Sequence, residues 1–531
     1  MRLLTSVFFL LTAPLFLGAQ YITPEWTRYQ DTQTGGGFSA PNVQVDNEQN
    51  VIVFGETYHP GSVIGFIVTK YDPSGDLLWE SRMDSPALDV PVSFALDSSG
   101  YPYAAGYMKA QFVSIIEGLL LKYDKETGDT LWSYRYAYST PLNSSFSQVL
   151  ITPTQEVWVL GTATDLNTNQ YFTFLAILDS EGHEIKRVEL QNGVGSIIKP
   201  VAGGYVVWGS QNGAFVCWHL DSEGNEINQY STDFYLDSSG GAPGGERHVD
   251  KMGNFYIGDR SGEHKMTKYD PQGNLLWTYA KPYVAHSSPF YVTARAEGIN
   301  TDEAGNVFFG GMYYNGTDRR HLYTCLDAQG ALLWEYQLVF LDEYYVSSAR
   351  QSIMLEDKNL SLGNYRLDSI NNYNLCFVAL SDSNGFKVGW LCDLPGNSNS
   401  VNSIHYHQNK VYIAASNSED LSNKKQLVSK FDASFLYSPT QEWTSTKIEK
   451  MSPNPAVSKT VLSLYNTKAE KRAMLELLDL QGKVVYNRQV ELVQGQQQIV
   501  LDELDGLPTG TYFVRISTVG HVFTGKLVKS N

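Results

Sequence analysis

A chain of 531 residues is too long for one ordinary domain, and 13% aromatic against 18% charged residues sets it far from disorder. A net charge of -17 with no Lys/Arg run excludes nucleic acid as a partner, since phosphate binding needs a basic face. The 34 Tyr and 10 Trp fit the half-buried pleated surfaces of a large protein of the all-β class.

The N-terminus reads first. Arg2 is followed by an apolar run over 3–17 and then Gly18-Ala19-Gln20, the pattern of a secretory signal. The run is shorter than the roughly 20 residues of a transmembrane helix. Residues 1–19 are therefore expected to be removed after Ala19. No Cys near the junction offers a lipid anchor, and no later stretch is apolar enough to span a bilayer.

From residue 20 to 437 the chain repeats. One motif reads KYDPSGDLLW at 70–79, KYDKETGDTLW at 122–132, KYDPQGNLLW at 268–277 and CLDAQGALLW at 325–334. Weaker copies begin at Leu178, Leu220 and Asp382, and a truncated one is Lys430-Phe431-Asp432. A second motif interleaves with it, an Asp-containing turn followed by a strand ending in Gly at 55, 106, 258, 310 and 363. Degenerate copies end at Gly161, Gly209 and Ala415, which makes eight units about fifty residues apart.

Each unit holds four strands joined by turns, the content of a β-propeller blade. Eight blades are expected, with seven the alternative if the short unit at 209–230 is irregular. Asp and Gly of the motif are turn formers, the one bonding its own backbone and the other taking positive φ. Its Trp is a large filler between blades. The segment 25–29 resembles a fourth strand that no blade precedes, so it is expected to complete the last blade and close the ring.

The Asp-x-x-x-Gly-x-x-x-Trp spacing at 124–132 is similar to the repeat of pyrroloquinoline-quinone dehydrogenases. Those proteins hold their quinone beside a vicinal Cys-Cys disulfide. The four cysteines here, Cys217, Cys325, Cys376 and Cys392, include no such pair, so no cofactor is expected. Cys376 and Cys392 flank the turn at 383–385 and could face each other across a hairpin, as a disulfide or as two buried thiols.

After a polar linker at 438–450, residues 451–531 form short alternating strands with frequent turns, the pattern of a small immunoglobulin-like β-sandwich. This segment resembles the C-terminal sorting domain of cargo of the type IX secretion system of Bacteroidota. The resemblance rests on Pro453-Asn454-Pro455, then LDLQGKVV around Gly482, LPTGTYFV with Gly510 and Tyr512, and the terminal GKLVK with Gly525 and Lys526. It implies the type IX machinery as partner and removal of the domain after export. It also implies a protein released or attached to the cell surface.

Chemistry is harder to find. The repeated Asp72, Asp124, Asp221, Asp270 and Asp327 come one per turn, whereas calcium needs six to eight oxygens. His405 and His407 share a strand face without a third ligand, so no metal is expected. The glycine-rich stretch 240–245 lacks the Lys-Ser/Thr and helix of a phosphate loop. There is no G-x-S-x-G.

One surface stands out. Loops joining blades share a propeller face with loops joining second and third strands. Here they carry Tyr58, His59, Tyr107, Tyr136, Tyr138, Tyr283, His286, Tyr291, Tyr313, Tyr314, Arg319, Arg320, Tyr344, Tyr345 and Tyr365. Tyrosine gives rigid amphipathic contact at low entropy cost. The expected function is thus a secreted surface propeller that binds or scaffolds a glycan or protein ligand. Tyr283, His286, Tyr313, Tyr314, Arg319, Tyr344 and Tyr345 are the candidate contacts. The alternative is a propeller hydrolase or lyase acting on glycans, which would need two or three carboxylates at the channel mouth.

Overall fold

The computed structural model describes residues 20–530 except 31–41, 60–62, 84–87, 110–114, 137–141, 191–192, 212–213, 236–246, 259–263, 282–296, 315–318, 339–345, 367–373, 393, 395–398, 421–422, 438–443, 449, 467–469, 479–483, 503 and 518–520. It comprises one compact unit of Tyr21–Phe386 with Trp390–Ser434 and a second built around Phe435–Asn531.

In the first unit, eight antiparallel sheets follow one another among the described residues. Blades 1 to 6 span 42–82, 88–135, 142–190, 194–235, 247–281 and 297–338, each of four strands in chain order from the inside outward. Blade 7 (346–392) gains a fifth strand, Gln20–Ile22, on its outer edge. Blade 8 takes only three strands from 399–432, and Trp26–Gln30 supplies the fourth by pairing with Asn423–Asp432. The sequence expectation of a ring closed by the N-terminal segment is met. The unit around 209–230 is an ordinary blade, so the count is eight.

Second strands are the most buried elements, because both of their faces meet a neighbouring blade. Val157–Leu160 and Val206–Trp208 are fully buried. Apolar layers therefore lie between blades. One holds Phe54, Phe66, Trp79, Phe94 and Tyr123, another Trp158, Leu175, Ile198 and Trp218. Such burial, at about 25 cal/mol per Å², is the main force holding the ring together.

The second unit packs a five-stranded sheet on a three-stranded one around Leu462, Leu475, Leu477, Val514, Ile516 and Leu527. Residues 444–447, placed in the linker by the sequence, are instead an edge strand. Thr444–Lys447 pairs in parallel with His521–Lys529. Its polar Thr-Ser-Thr-Lys lacks the apolar alternation by which a sequence reveals a strand.

Candidate functional site

The repeat motif proves to be a device for joining blades. In each Asp turn one carboxylate oxygen accepts two backbone N–H groups. Asp72 Oδ1 takes those of Ser74 and Asp76 at 2.8 and 2.9 Å. The same pattern recurs at Asp124, Asp221, Asp270 and Asp327. Backbone hydrogen bonds from Thr127 and Glu126 hold the Asp124 carboxyl below its usual range.

The turn then receives the preceding blade. Trp79 Nε1 and Lys70 Nζ both donate to the Lys125 carbonyl, at 3.0 and 2.9 Å. Trp132 and Lys122 converge likewise on Ser180, and Trp277 and Lys268 on Ala328. At the closing joint Trp26 and Lys430 converge on Pro73, at 3.1 and 2.8 Å. The indole also lies against the turn glycine. A Cβ on Gly128, whose φ is +76°, would stand 2.6 Å from the Trp79 ring. The sequence signal for this lysine is its recurrence two residues before Asp72, Asp124, Asp270 and Asp432.

The innermost strands carry a second fastening, a belt of polar contacts from blade to blade. Val43 N donates to Ser403 Oγ, Gln44 Nε2 to Phe94 O, and Val149 N to Ser93 Oγ. Ile198 N donates to Gln148 Oε1 at 2.8 Å, and Ile404 N to Gln351 Oε1 at 2.7 Å. His248 meets Thr301, and Asn300 donates to Ser352. Between blades 4 and 5 the contact is backbone to backbone, Ala202 N to Lys251 O.

Ionised groups are sparse on these strands. Among the described residues the carboxylates on these strands are Asp89, fully buried, and Glu297, on blades 2 and 6. The basic side chains include Lys199, Arg247 and His248. Burial, then the Lys199 charge, pushes His248 down to about 3. His405 and His407 stack at 6.4 Å, and burial followed by its neighbour lowers His405 to about 4. Among the described residues, no group of three His, Cys, Asp or Glu is placed to hold a metal.

The candidate loop-face contacts fare unevenly. Tyr283, His286, Tyr344 and Tyr345 lie outside the described residues, as do Tyr138, Tyr291 and the glycine stretch 240–245. Tyr313 and Tyr314 end the second strand of blade 6, where they pair with Arg320 and Arg319 across the hairpin. Tyr136 is not a surface contact. It is 2% exposed, its ring 3.8 Å from that of Phe174 and capped by Arg187. The apolar interface between blades 2 and 3 takes it in.

In the small unit the short motifs touch one another. Asn454 donates to Lys526 O at 2.7 Å and accepts from Val528 N at 2.8 Å, which ties Pro453-Asn454-Pro455 to the terminal strand. A Cβ on Gly525 would come within 2.5 Å of Met451, so that strand needs glycine there. Gly510 pairs with Lys529, and buried Tyr512 donates to Pro508 O at 2.6 Å. Gly482 lies outside the described residues. Residues 450–530 match the family model for the secretion system C-terminal sorting domain. The chain ends in a type IX sorting domain. That domain directs export to the cell surface or beyond, and among the described residues no helix is long and apolar enough to cross a membrane.

No curated protein matches the chain. Solved structures with similar features include Sqt1 from Chaetomium thermophilum, at 11% identity and TM-score 0.45, over 77% of this chain and 100% of that one. The Dos1 propeller aligns at 10% identity and TM-score 0.38, over 77% and 95%. PorZ, a surface component of the type IX secretion system of Porphyromonas gingivalis, aligns at 9% identity and TM-score 0.25, over 97% and 99%.

Proposed function

We propose that the exported propeller is a binding or scaffold module for a glycan or protein at the surface of a bacterium of the Bacteroidota. Residues 1–19 are lost at the first membrane, and the sorting domain is lost at the second. The observation that supports binding over hydrolysis is the make-up of the innermost strands. Among the described residues these strands carry two carboxylates, on blades 2 and 6, with Asp89 fully buried, whereas a glycan hydrolase needs two working together. Hydroxyl and amide side chains there are already committed to holding the blades together. Recognition then falls to the opposite resource, the tyrosine-rich loop face around Tyr313, Tyr314 and Arg319 with Tyr283, His286, Tyr344 and Tyr345.

The test is a glycan and peptide array probed with the protein collected from the cell surface or medium. Retained ligands should be lost when Tyr313, Tyr314, Tyr344 and Tyr345 are changed together to Ala. An array without retained ligands, or binding indifferent to that change, sinks the reading.

A further inference from the structure

Cys376 and Cys392 lie on the third and fourth strands of blade 7, which are hydrogen-bonded neighbours. Both are free thiols in the structure and both side chains are buried, at 0% and 1% exposure, close enough that the Cys392 thiol helps push the Cys376 thiol up. Residues facing each other on adjacent antiparallel strands have Cα atoms about 4.5–5.5 Å apart, inside the range a disulfide spans. The other two cysteines have different company. Cys217 on blade 4 sits between Trp208 and Tyr230, and Cys325 on blade 6 between Phe308 and Trp334.

We propose that Cys376 and Cys392 form a disulfide in the exported protein, clasping the two outer hairpin strands of blade 7. The sorting domain sends this chain to an oxidising compartment, where paired thiols become disulfides. One thiolate attacks the disulfide of an envelope dithiol oxidant and expels one of its sulfurs. The second thiolate then attacks the mixed disulfide. One S–S bond forms between the two cysteines and two S–H bonds are lost. The two protons and two electrons pass to the oxidant, whose own S–S bond is broken and which is released as a dithiol.

Burial sets the timing. In the finished blade the Cys376 thiol is held well above its ordinary range by desolvation, so it is a poor nucleophile there. Oxidation therefore belongs to the period before blade 7 packs, and the completed bond is shielded from reductants. The fourth strand of this blade also carries the added strand Gln20–Ile22, so the clasp fixes the edge on which the N-terminal segment is laid.

The experiment uses the full exported protein, denatured without reductant in the presence of a maleimide. Intact mass should show two adducts, peptide mapping should place them on Cys217 and Cys325, and a cross-linked 376–392 peptide should appear. Four adducts, or adducts on Cys376 and Cys392, overturn the proposal. As a second measurement, reductant should lower the urea midpoint of the wild type but not that of the Cys376→Ser/Cys392→Ser protein. Equal sensitivity overturns the clasp. Neither result depends on the binding reading above.

Discussion

Joints of two kinds hold the propeller ring, and they solve one problem with different residues. Where blade 1 meets 2, 2 meets 3, 5 meets 6 and 8 meets 1, a Trp and a Lys converge on one turn carbonyl while the indole covers the turn glycine. Between blades 3 and 4 the Lys position is Ile177 and the Trp position Lys186, which donates to Glu223 O. Ile177 and Trp158 then fill the space over Gly224. Between blades 4 and 5 His219 takes the Lys position beside the Pro271 backbone, while Tyr230 covers Gly273. The lesson is that at these six joints a blade offers its neighbour's turn a polar side chain and an apolar surface over one glycine. Which side chains do so is secondary.

This contrast can be broken at its strongest point. Trp26→Ala removes the indole that closes the ring and should cost about 3–5 kcal/mol in urea unfolding, the range for large aromatic truncations. Trp132→Ala, at a joint inside the chain and with a more exposed ring, should cost less. Equal losses would mean that closure adds nothing to an ordinary joint.

A smaller effect separates the covered glycines from merely turned ones. Gly128→Ala meets both a left-handed φ of +76° and the Trp79 ring, whereas Gly253 has a φ of +83° with its nearest neighbour at 3.5 Å. Gly253→Ala should cost the backbone penalty alone, about 1–2 kcal/mol, and Gly128→Ala distinctly more. Matching thermal shifts would show that the indole yields freely.

The smallest effect is set by pH at the His219 joint. Burial lowers the His219 pKa, so the folded state binds fewer protons than the unfolded one below about pH 6.5. Stability at this joint is whole above that value and drains away as pH falls through it. His248, held at about 3 by burial and Lys199, acts in the same direction. The urea midpoint should therefore fall between about pH 6.5 and 5, and His219→Lys, which installs the residue of the other joints, should flatten part of that slope. An unchanged slope would remove His219 from the account.

The same contrast explains what the sequence made legible. Blades 1, 2, 5 and 6 announce themselves because LLW or TLW follows the Asp turn at fixed spacing. Blades 3 and 4 were harder to see because Lys186 and Tyr230 meet the same needs with other chemistry. The closing strand could be inferred from Trp26 alone, since its surroundings repeat those of Trp79. The inner belt was invisible. Ser93, Gln148, Gln351 and Ser403 lie in strands of mixed composition, most of them with other polar residues beside them, and only the fold reveals that each reaches the next blade. Tyr136 misled for the opposite reason, as its position beside a loop says nothing about the Phe174 ring beneath which it packs.

The strand Trp26–Gln30 also fixes an order of events. Thr27 and Ser429, 402 residues apart in the chain, meet at 2.7 Å in blade 8. That contact can form only when everything between them has emerged, so a propeller still being made or threaded is necessarily an open one. Because the entropy of closing a loop rises only logarithmically with its length, this late union is barely harder than an earlier one. The molecule can thus stay unclosed throughout its passage and still finish as a ring at little extra cost.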